Sequence, residues 1–349
     1  MKGVAISQVG SPAVVVDDLE IPEPDENQVL VKSIYTAINP VDSYMAMSGI
    51  LVVDWPFILG CDAAGIVVKA GSAASTPLGP LKPGDEVCGC TRLGTKGHST
   101  CQEFFLMDAA LTIPKPKNIS LPQAATIGVG AYTACLGVFN GLRLPLPSPS
   151  DLPTPRDEWA LVIGGASSVG KYAVQLLVAL GFKVITTCSA RSNEVVRAIG
   201  ASANIDYKKS QEDQISEILS VTGGRLGRIF DSTAANHDFA KAVFKQTPGS
   251  SKLFATTCDW IPMPETDFEG GIPYQIKLGS IGQPDAAELN QNINSFISLI
   301  VGLVEAGKIV PSDYDIVGSG GFQGVAEAWK YQQEGKGGSK KVLVKLQDV

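Results

Sequence analysis

The sequence predicts an α/β protein of two domains, one rich in β-strands and one built on a doubly wound parallel sheet. The chain has 349 residues, which is too long for one comfortable hydrophobic core. Up to residue 113, short Val- and Ile-rich runs are broken by Gly, Pro and Asp, as is typical of an all-β domain. From residue 159 onward, apolar strands alternate with helical patterns, which favours a parallel sheet covered by helices.

The first part of the chain is expected to contain little helix. Its predicted strands cover residues 14–16, 28–34, 64–69, 85–88 and 103–107. Helical periodicity begins at Leu121 and predicts a single apolar helix through about residue 139. Five prolines between residues 141 and 159 then exclude a helix and predict a linker or surface loop.

The alternating part begins at residue 159. Its predicted strands cover residues 159–163, 182–187, 203–205 and 228–231, with edge strands at 252–256 and 276–281. Its predicted helices cover residues 168–180, 193–199, 211–221 and 290–306. Short strands at 314–317 and 341–344 are expected to return to the first domain, which would then comprise residues 1–150 and 307–349, with 151–306 forming the second.

Charge and composition exclude several classes of function. A net charge of −7 without a basic run makes nucleic acid an unsuitable partner. The amino terminus has no apolar core of signal-peptide length, and no stretch is long and apolar enough to span a membrane, so a cytoplasmic protein without membrane contact is expected. The seven cysteines lack the spacing of a disulfide scaffold and are expected to be reduced.

Residues 159–180 read as a buried strand, a tight turn of small residues and an amphipathic helix. In this turn Gly165 would let the chain turn, and Gly170 would let the helix lie close to the strand. Backbone N–H groups at the helix start can then bind a dinucleotide pyrophosphate. Ser167 replaces the middle glycine of G-x-G-x-x-G and Ser168 follows it, and both hydroxyls can donate to phosphate. A packing turn of any α/β protein is the alternative interpretation.

The second strand of this part ends in TTCSARSNE, without the acidic residue that holds the ribose 2′-hydroxyl of NAD. Ser189, Arg191 and Ser192 offer hydrogen-bond donors that suit a 2′-phosphate, so NADPH is preferred over NADH. Arg191 can also be an ordinary solvated residue before a helix. Tyr207, after the third strand, either packs on the adenine or is ordinary surface.

Several motifs then occur together and in order along almost the whole chain. They are AINPVDSYMAMSG at 37–49, LGCDAAGIVVKAGS at 59–72, KPGDEVCG at 82–89, TIPKPKNISLPQAATIGVGAYTA at 112–134, GGASSVGKYAVQLL at 164–177 and GKGGSKKVLVKL at 335–346. With them the sequence resembles the zinc-free, quinone-reductase-like branch of the medium-chain dehydrogenase/reductase superfamily. The resemblance implies a GroES-like β-barrel catalytic domain built from both chain ends and a Rossmann NADPH-binding domain between them.

Three shorter segments make the resemblance narrower: GLRLPLPSPS before the first strand of the second domain, TTCS after its second strand and IDY after its third. They resemble the fungal trans-acting enoyl reductases of polyketide biosynthesis, the lovastatin enoyl reductase type. That implies hydride transfer from NADPH to the β-carbon of an α,β-unsaturated acyl thioester. The thioester would be carried by the acyl carrier domain of a polyketide synthase or PKS-NRPS. A monomer is favoured over the homodimer of other relatives.

The resemblance also carries site residues onto this chain. The expected cofactor contacts are Val41, Asp42, Ser43, Tyr44, Gly165, Ala166, Ser167, Ser168, Val169, Ser189, Ala190, Arg191, Ser192, Tyr207, Leu278, Gly279, Gly338 and Ser339. The expected lining of the acyl pocket is Ala134, Cys135, Leu136, Gly137, Val138, Phe139, Asn140 and Gly141. At Tyr44 the lovastatin type carries a lysine, so no role for this side chain follows from the resemblance.

No metal is expected. The zinc-dependent members need a Cys, a His and another Cys or Glu around an open position, whereas this chain reads NPVD at 39–42 and GCD at 60–62. Cys88, Cys90, His98 and Cys101 supply four soft ligands in another segment, but their C-x-C spacing is unlike a zinc knuckle. His237, near a predicted helix start, is expected to be an exposed residue.

Reduction of a conjugated double bond without a metal requires a positioned nicotinamide and donors for the substrate's enolate oxygen. Ser43, Tyr44 and Thr133 are the candidate donors, with Tyr44 the first choice for protonation, although solvent can also supply the proton. Two alternatives stay open. One is a general NADPH-dependent quinone or enone reductase, and the other is a non-catalytic NADPH-binding protein.

Overall fold

The computed structural model describes residues 1–249, 251–264, 268 and 270–349. Its helices, in chain order, are α1 Pro40–Ser48, α2 Leu121–Ala124, α3 Gly128–Cys135, α4 Ser168–Ala179, α5 Asn193–Ala198, α6 Gln211–Thr222, α7 His237–Gln246, α8 Ala287–Glu305 and α9 Gly324–Gln333. No helix among the described residues is long and apolar enough to cross a membrane.

The strands account for most of the remaining regular structure. In chain order they are β1 Gly3–Ile6, β2 Val14–Val16, β3 Gln28–Ile38, β4 Phe57–Ile58, β5 Asp62–Ala70, β6 Ser75–Thr76, β7 Gly79–Pro80, β8 Glu86–Cys90, β9 Phe104–Asp108, β10 Ile113–Pro114, β11 Trp159–Ile163, β12 Lys183–Cys188, β13 Ala203–Asp206, β14 Leu226–Asp231, β15 Leu253–Thr256, β16 Ile272–Gln275, β17 Tyr314–Ile316 and β18 Lys341–Lys345. The proline-rich segment 142–158 forms no helix or strand, as its sequence predicts.

The chain divides into two compact units. The first unit comprises Met1–Val129, Leu278–Glu305 and Pro311–Val349, and the second comprises Gly130–Lys277 and Ala306–Val310. These units differ from the predicted ranges, chiefly because α8 packs with the β-rich part. There the side chain of Asn294 donates to the carbonyl oxygen of Ala110 at 2.7 Å. The division into functional domains stays a prediction, with residues 1–150 and 307–349 in the first domain and 151–306 in the second.

The first unit is built on a largely antiparallel sheet with the strand order β10-β8-β5-β3-β18-β17, while β9 also pairs with β3. Alternate side chains of β3 and β9 enter one apolar core, which includes Val29, Val31 and Phe105. Strand β18, near the end of the chain, pairs antiparallel with β3 and places Val342 opposite Ile38. The segment that precedes β18 therefore lies beside the start of α1, which follows β3 directly.

The second unit holds a parallel sheet with the strand order β13-β12-β11-β14-β15-β16. The chain begins in the middle at β11, moves outward to β13 and returns to β14 on the other side. The order in which strands are added to the sheet therefore reverses between β11 and β14. In doubly wound sheets, ligands bind at this point, at the carboxyl ends of the strands. The predicted combination of a β-rich domain with a doubly wound parallel sheet is confirmed.

Helix α1 is a helix that the hydrophobic pattern does not reveal. It is nine residues long, with only Asp42, Met45 and Ala46 buried, so it shows little amphipathic periodicity. Its start is set by local chemistry: Pro40 occupies the first helical turn, and the carboxylate of Asp42 accepts the backbone N–H of Asn39 at 2.7 Å. The expectation that helix begins only at Leu121 is wrong.

Two other predicted elements differ from the structure. The single helix expected from Leu121 is divided into α2, α3 and a π-helical turn over Leu136–Gly141. The edge strand expected at 276–281 is wrong: β16 lies at Ile272–Gln275, and Leu278–Ser280 is a 3-10 turn. Strand β16 ends where its partner β15 ends, because Thr256 is the last residue of β15 and pairs with Gln275.

Candidate active site

The turn between β11 and α4 is shaped by three glycines. Gly164 has a left-handed backbone with φ of 76°. A Cβ at Gly165 would lie 1.9 Å from the hydroxyl oxygen of Thr186, and one at Gly170 would lie 2.2 Å from the carbonyl oxygen of Gly164. The structure thus assigns the left-handed turn to Gly164 rather than to Gly165. Gly165 instead gives the turn its close approach to β12, and Gly170 lets α4 approach the turn as predicted.

Ser167 is the N-cap of α4. Its hydroxyl oxygen accepts the N–H of Gly170 at 2.9 Å and lies 2.9 Å from the hydroxyl oxygen of Ser232. The hydroxyl oxygen of Ser232 is also 2.8 Å from the carbonyl oxygen of Ile163, and a carbonyl can only accept a hydrogen bond. The single proton of Ser232 is best placed on that carbonyl, so Ser167 donates its own proton to Ser232. Ser167 therefore shapes the turn through its side chain, and its hydroxyl is not spare for a phosphate.

Donors for an anion remain at the start of α4. The first N–H groups of a helix have no partner within the helix, and in α4 these belong to Ser168 and Val169. The hydroxyl oxygen of Ser168 is buried and makes no hydrogen bond in the structure. The glycine cradle, the backbone donors and this hydroxyl suit a pyrophosphate, which the positive end of the helix dipole also favours.

The predicted 2′-phosphate segment follows the next strand of the same sheet. β11 and β12 run parallel with Ile163 opposite Thr187, so their carboxyl ends lie side by side. After β12, Ala190–Ser192 forms a 3-10 turn in which the hydroxyl oxygens of Ser189 and Ser192 lie 3.3 Å apart. Arg191 is exposed on this turn. The structure thus brings the turn at residues 164–170, here called the phosphate turn after its predicted role, and the acid-free end of β12 to one edge of the sheet.

Tyr207 follows β13, the outer neighbour of β12. Its backbone N–H donates to the carbonyl oxygen of Cys188 at 3.4 Å, and its side chain is 55% exposed. Tyr207 therefore follows the end of β13 at the same edge of the sheet at which Arg191 follows β12. This position is compatible with packing against an adenine, and the role stays a prediction.

Helix α3 and the π-helical turn contain the predicted acyl-pocket residues and Thr133. A Cβ at Gly130 would lie 2.9 Å from the hydroxyl oxygen of Ser168, and one at Gly137 would lie 1.9 Å from the ring of Phe230. This segment therefore packs closely on the start of α4 and on β14. Thr133 is buried, and so are the predicted pocket residues Ala134, Cys135, Leu136, Gly137, Val138, Phe139 and Gly141.

Asn140 differs from its neighbours in this segment. Its side chain is only partly buried, and its Oδ1 atom is buried without a hydrogen-bond partner. π-Helical turns are uncommon and often occur at functional sites. Among the predicted pocket residues, Asn140 is therefore the one whose polar group is still available to a ligand.

In the first unit, α1 contains the residues predicted for the nicotinamide end. Val41 is half-buried, and the hydroxyl oxygen of Ser43 accepts the indole N–H of Trp329 in α9 at 2.8 Å. Tyr44 is 56% exposed. Asp42 is buried and caps the helix, so its carboxylate faces the interior of the unit rather than the surface.

Two other predicted cofactor segments of the first unit lie close to α1. A Cβ at Gly279, next to Leu278, would lie 2.9 Å from the side chain of Leu51, which follows α1. Gly338 and Ser339 immediately precede the segment Lys340–Lys341, and Lys341 on β18 contacts Asn39 at the N-cap of α1. The first unit therefore gathers around α1 the cofactor residues that the sequence assigned to it.

Four buried polar side chains form a cluster at the N-terminal end of α1: Asn39, Asp42, Asp62 and Lys341. The Nζ atom of Lys341 lies 3.2 Å from Oδ2 of Asp62, and it donates to Oδ1 of Asn39. Burial raises the pKa of Asp42 to about 7, although the Asn39 N–H and Lys341 act in the opposite direction. Burial also raises the pKa of Asp62. The cluster thus holds two carboxyl groups and one cation out of contact with solvent.

The candidate metal ligands are placed as core residues. Cys88, Cys90, His98 and Cys101 are all buried, and burial raises the pKa of the Cys88 and Cys101 thiols. Burial lowers the pKa of His98 to about 4, so this imidazole is neutral at pH 7. Within the described part of the chain, no group of three or more His, Cys, Asp or Glu residues is arranged to hold a metal ion. His237 begins α7 and is half-buried rather than exposed.

Sequence reasoning missed two groups of residues. Ser232 and Thr233 follow β14 and form the second wall of the phosphate turn, since a Cβ at Gly164 would lie 2.3 Å from Thr233. Their position after a strand adjacent to β11 could have revealed them. The contact between Asp62 and Lys341 has no such signal, because the two residues are far apart in the sequence.

Comparison with known proteins agrees with this architecture. Residues 25–136 match the family model of the alcohol dehydrogenase GroES-like domain. The trans-enoyl reductase TOXD of Cochliobolus carbonum is 32% identical over 223 residues, which cover 62% of this chain and 71% of TOXD. The chain belongs to the medium-chain dehydrogenase/reductase superfamily. This finding confirms the resemblance that the motifs predicted.

Other proteins match over more of the chain. The trans-enoyl reductase poxP of Penicillium oxalicum is 29% identical over 358 residues, covering 95% of this chain and 89% of poxP. The apo structure of JamJ enoyl reductase superposes with a TM-score of 0.78 at 20% identity, over 99% of both chains. At that identity the structural match shows the fold. The chain spans about 60% of the length of the first curated relatives it matches.

Proposed function

We propose that this protein is a trans-acting enoyl reductase that uses NADPH to reduce an α,β-unsaturated acyl thioester. The observation that carries the proposal is the phosphate turn of the second unit, where a glycine cradle and the partnerless hydroxyl of Ser168 lie beside the acid-free end of β12. The names of the relatives TOXD and poxP supply the substrate class.

The second unit would bind the adenosine and phosphate half of the cofactor. The backbone N–H groups of Ala166, Ser168 and Val169, shaped by Gly165 and Ser167, would hold the pyrophosphate. Ser189, Ala190, Arg191 and Ser192 would form the 2′-phosphate site, because a guanidinium and two hydroxyls present several donors and no carboxylate. Tyr207 would pack on the adenine.

The first unit would orient the reactive half through Val41, Ser43 and Tyr44, together with Leu278, Gly279, Gly338 and Ser339. NADPH held by these residues would supply the hydride for the β-carbon of the substrate. The protein's part is to hold the acyl chain in line and to stabilise charge on the thioester oxygen. Asp42 would act by capping α1 rather than by contact with the cofactor.

Three hydroxyl groups are our candidates for stabilising or protonating the substrate's enolate. Tyr44 is exposed on α1 and is the first candidate for the proton donor. Ser43 accepts a hydrogen bond from Trp329, which leaves its own proton for donation to a substrate oxygen. Thr133 is buried in α3, so a role for it requires the acyl chain to reach that helix.

The acyl pocket is proposed along the segment from Ala134 to Gly141, with Asn140 as its polar group. We propose that the thioester arrives on the acyl carrier domain of a polyketide synthase or PKS-NRPS, in transient contact with a monomer of this protein. The enzyme would then act on a chain that remains attached to its synthase.

The test is NADPH oxidation with a crotonyl group on a carrier domain, on a short pantetheine mimic, and with a free quinone. Consumption that depends on the enoyl thioester and is faster on the carrier supports the proposal. Faster turnover of the quinone would favour a general quinone or enone reductase instead. Fluorescence-detected NADPH binding without turnover of any acceptor would indicate a non-catalytic protein.

A further inference from the structure

We propose that Lys341 is a positioning residue that fixes the start of α1, and with it residues 41–44, by bridging Asn39 and Asp62. The inference rests on the proposed function, in which Val41, Ser43 and Tyr44 orient the nicotinamide. Lys341 lies near the far end of the chain, 302 positions after Asn39. The inference therefore depends on a tertiary contact and not on a motif.

The contacts made by Lys341 are buried and directional. Its Nζ atom donates to Oδ1 of Asn39 and lies 3.2 Å from Oδ2 of Asp62. The side chain of Lys341 is 5% exposed and that of Asp62 is 0% exposed. Asn39 is the N-cap of α1, and its backbone N–H donates to the carboxylate of Asp42 in the first turn of the helix. A cation fixed to Asn39 therefore restrains the helix where its site residues begin.

Asp62 extends the bridge to a second helix start. Its Oδ2 atom accepts the side-chain amide of Asn39 at 3.4 Å and the backbone N–H of Val129 at 3.3 Å. A Cβ at Gly128, the first residue of α3, would lie 2.1 Å from Oδ1 of Asp62. One carboxylate thus touches the beginnings of α1 and of α3, the helix that continues to Thr133. Lys341 is its ion-pair partner.

A buried ion pair of this kind adds little net stability, because desolvation of both charges offsets their attraction. A pair of apolar residues would fill the same space at similar stability, but it would not supply the hydrogen bonds to Asn39. The directional contacts are therefore what the pair adds. This favours a role in orientation over a role in holding the unit together.

The experiment compares Lys341→Met with Lys345→Met in the full-length protein. Both lysines lie on β18, but Lys345 pairs with Asp348 at the surface, with side chains 44% and 91% exposed. For Lys341→Met we expect kcat to fall by roughly 10- to 100-fold, because small displacements of reacting groups have effects of that size. We expect Lys345→Met to match the wild type. Lys341→Arg should recover part of the loss, since it keeps the charge and the donors.

Two readouts separate positioning from simple loss of folded protein. A misplaced nicotinamide slows hydride transfer, so the deuterium isotope effect with NADPH labelled at the transferred position should rise in Lys341→Met. Hydrogen exchange of a peptide covering residues 39–49 should also speed up, while protection of β11 stays unchanged. An unchanged isotope effect together with unchanged exchange in residues 39–49 would overturn the proposal.

Two further points keep the test decisive. If Lys341→Met does not fold, the double variant Asp62→Asn/Lys341→Met removes both charges and should fold, yet it lacks the lysine donor to Asn39. The same rise in exchange and isotope effect is expected there, and wild-type values would refute the role of Lys341. If the wild type reduces no acceptor, the proposed function fails, while the exchange of residues 39–49 still decides the positioning role.

Discussion

The two units position their proposed cofactor-binding residues in opposite ways. The phosphate turn of the second unit presents backbone groups, and its side chains are small: glycines that leave room and a serine, Ser167, that caps α4. The corresponding part of the first unit, the start of α1, is supported by the buried ionisable groups of Asp42, Asp62 and Lys341. The turn depends on the absence of side-chain volume and on backbone donors. The start of α1 depends on electrostatic contacts among buried side chains.

The difference shows in what each region can tolerate. In the turn, added volume is the main hazard, because a single Cβ at Gly165 would overlap Thr186. In the cluster, volume matters less than charge, since loss of one partner leaves the other buried and uncompensated. Changes of size and changes of charge should therefore separate the two regions experimentally.

The largest effect is expected in the turn. In Gly165→Ala the new Cβ overlaps Thr186, so the turn must move away from β12. We expect NADPH binding to weaken by about 2–3 kcal/mol, or about 30- to 150-fold in Kd. Fluorescence titration of NADPH measures this directly.

Gly223→Ala is the matched control for that change. Gly223 has φ of 61° and only open space around it, with Arg225 Nε at 3.9 Å. It should lose about 1 kcal/mol of unfolding free energy and bind NADPH normally. Normal binding by Gly165→Ala would show that the turn is merely a packing turn.

A somewhat smaller effect is expected at the 2′-phosphate segment. Removing the guanidinium in Arg191→Ala should raise the KM for NADPH by roughly 10-fold or more and leave that for NADH nearly unchanged, because only NADPH has the phosphate. Arg197→Ala, an exposed arginine on the following helix, is the control. Equal losses for both cofactors would show that Arg191 does not read the phosphate.

The buried cluster should respond to pH in a way that the turn does not. Because the pKa of Asp42 is raised to about 7, the folded protein holds a proton between pH 4 and 7 that the unfolded chain has released. The contribution of Asp42 to the free energy of unfolding is therefore fully present below about pH 4 and is lost as the pH rises towards 7. The loss is at most about 1.4 kcal/mol per pH unit.

Asp42→Asn removes this proton and keeps an oxygen that can accept the Asn39 N–H. Urea unfolding at pH 5 and pH 7 should show a smaller difference in unfolding free energy for the variant than for the wild type. The same difference in both proteins would mean that Asp42 titrates at its ordinary pKa.

The smallest effect concerns helix capping. Ser167→Ala should lose about 1 kcal/mol of stability, as should Ser210→Ala at the N-cap of α6, whose hydroxyl accepts the N–H of Asp213 at 3.1 Å. Only Ser167→Ala should also weaken NADPH binding, because Ser167 shapes the turn. Unchanged binding would assign Ser167 to stability alone.

Much of the site could be predicted where local pattern determines geometry. The turn at 164–170 and the TTCSAR strand end are read from consecutive residues, and the parallel sheet then brings them together as expected. Even there the pattern predicted that Gly165 lets the chain turn, whereas the positive φ belongs to Gly164 and Gly165 makes the close contact with β12. Both residues are glycine, so the sequence does not distinguish the two roles.

Other features could not be read in this way. Helix α1 is too short and too little buried to show periodicity, and β16 ends where its neighbour β15 does. Ser167 was expected to face phosphate, but its hydroxyl pairs with Ser232, which lies on another strand end.

By itself, the sequence determined the class of fold, the position of the phosphate turn and the absence of an acid at the end of β12, because each depends on residues close together in the chain. Only the tertiary structure decided that Lys341 meets Asn39 and Asp62, and that Asp42 faces inward. Charged side chains are ordinarily expected at the surface. Burial and pairing of such groups depend on which distant strands become neighbours, and no local pattern records that.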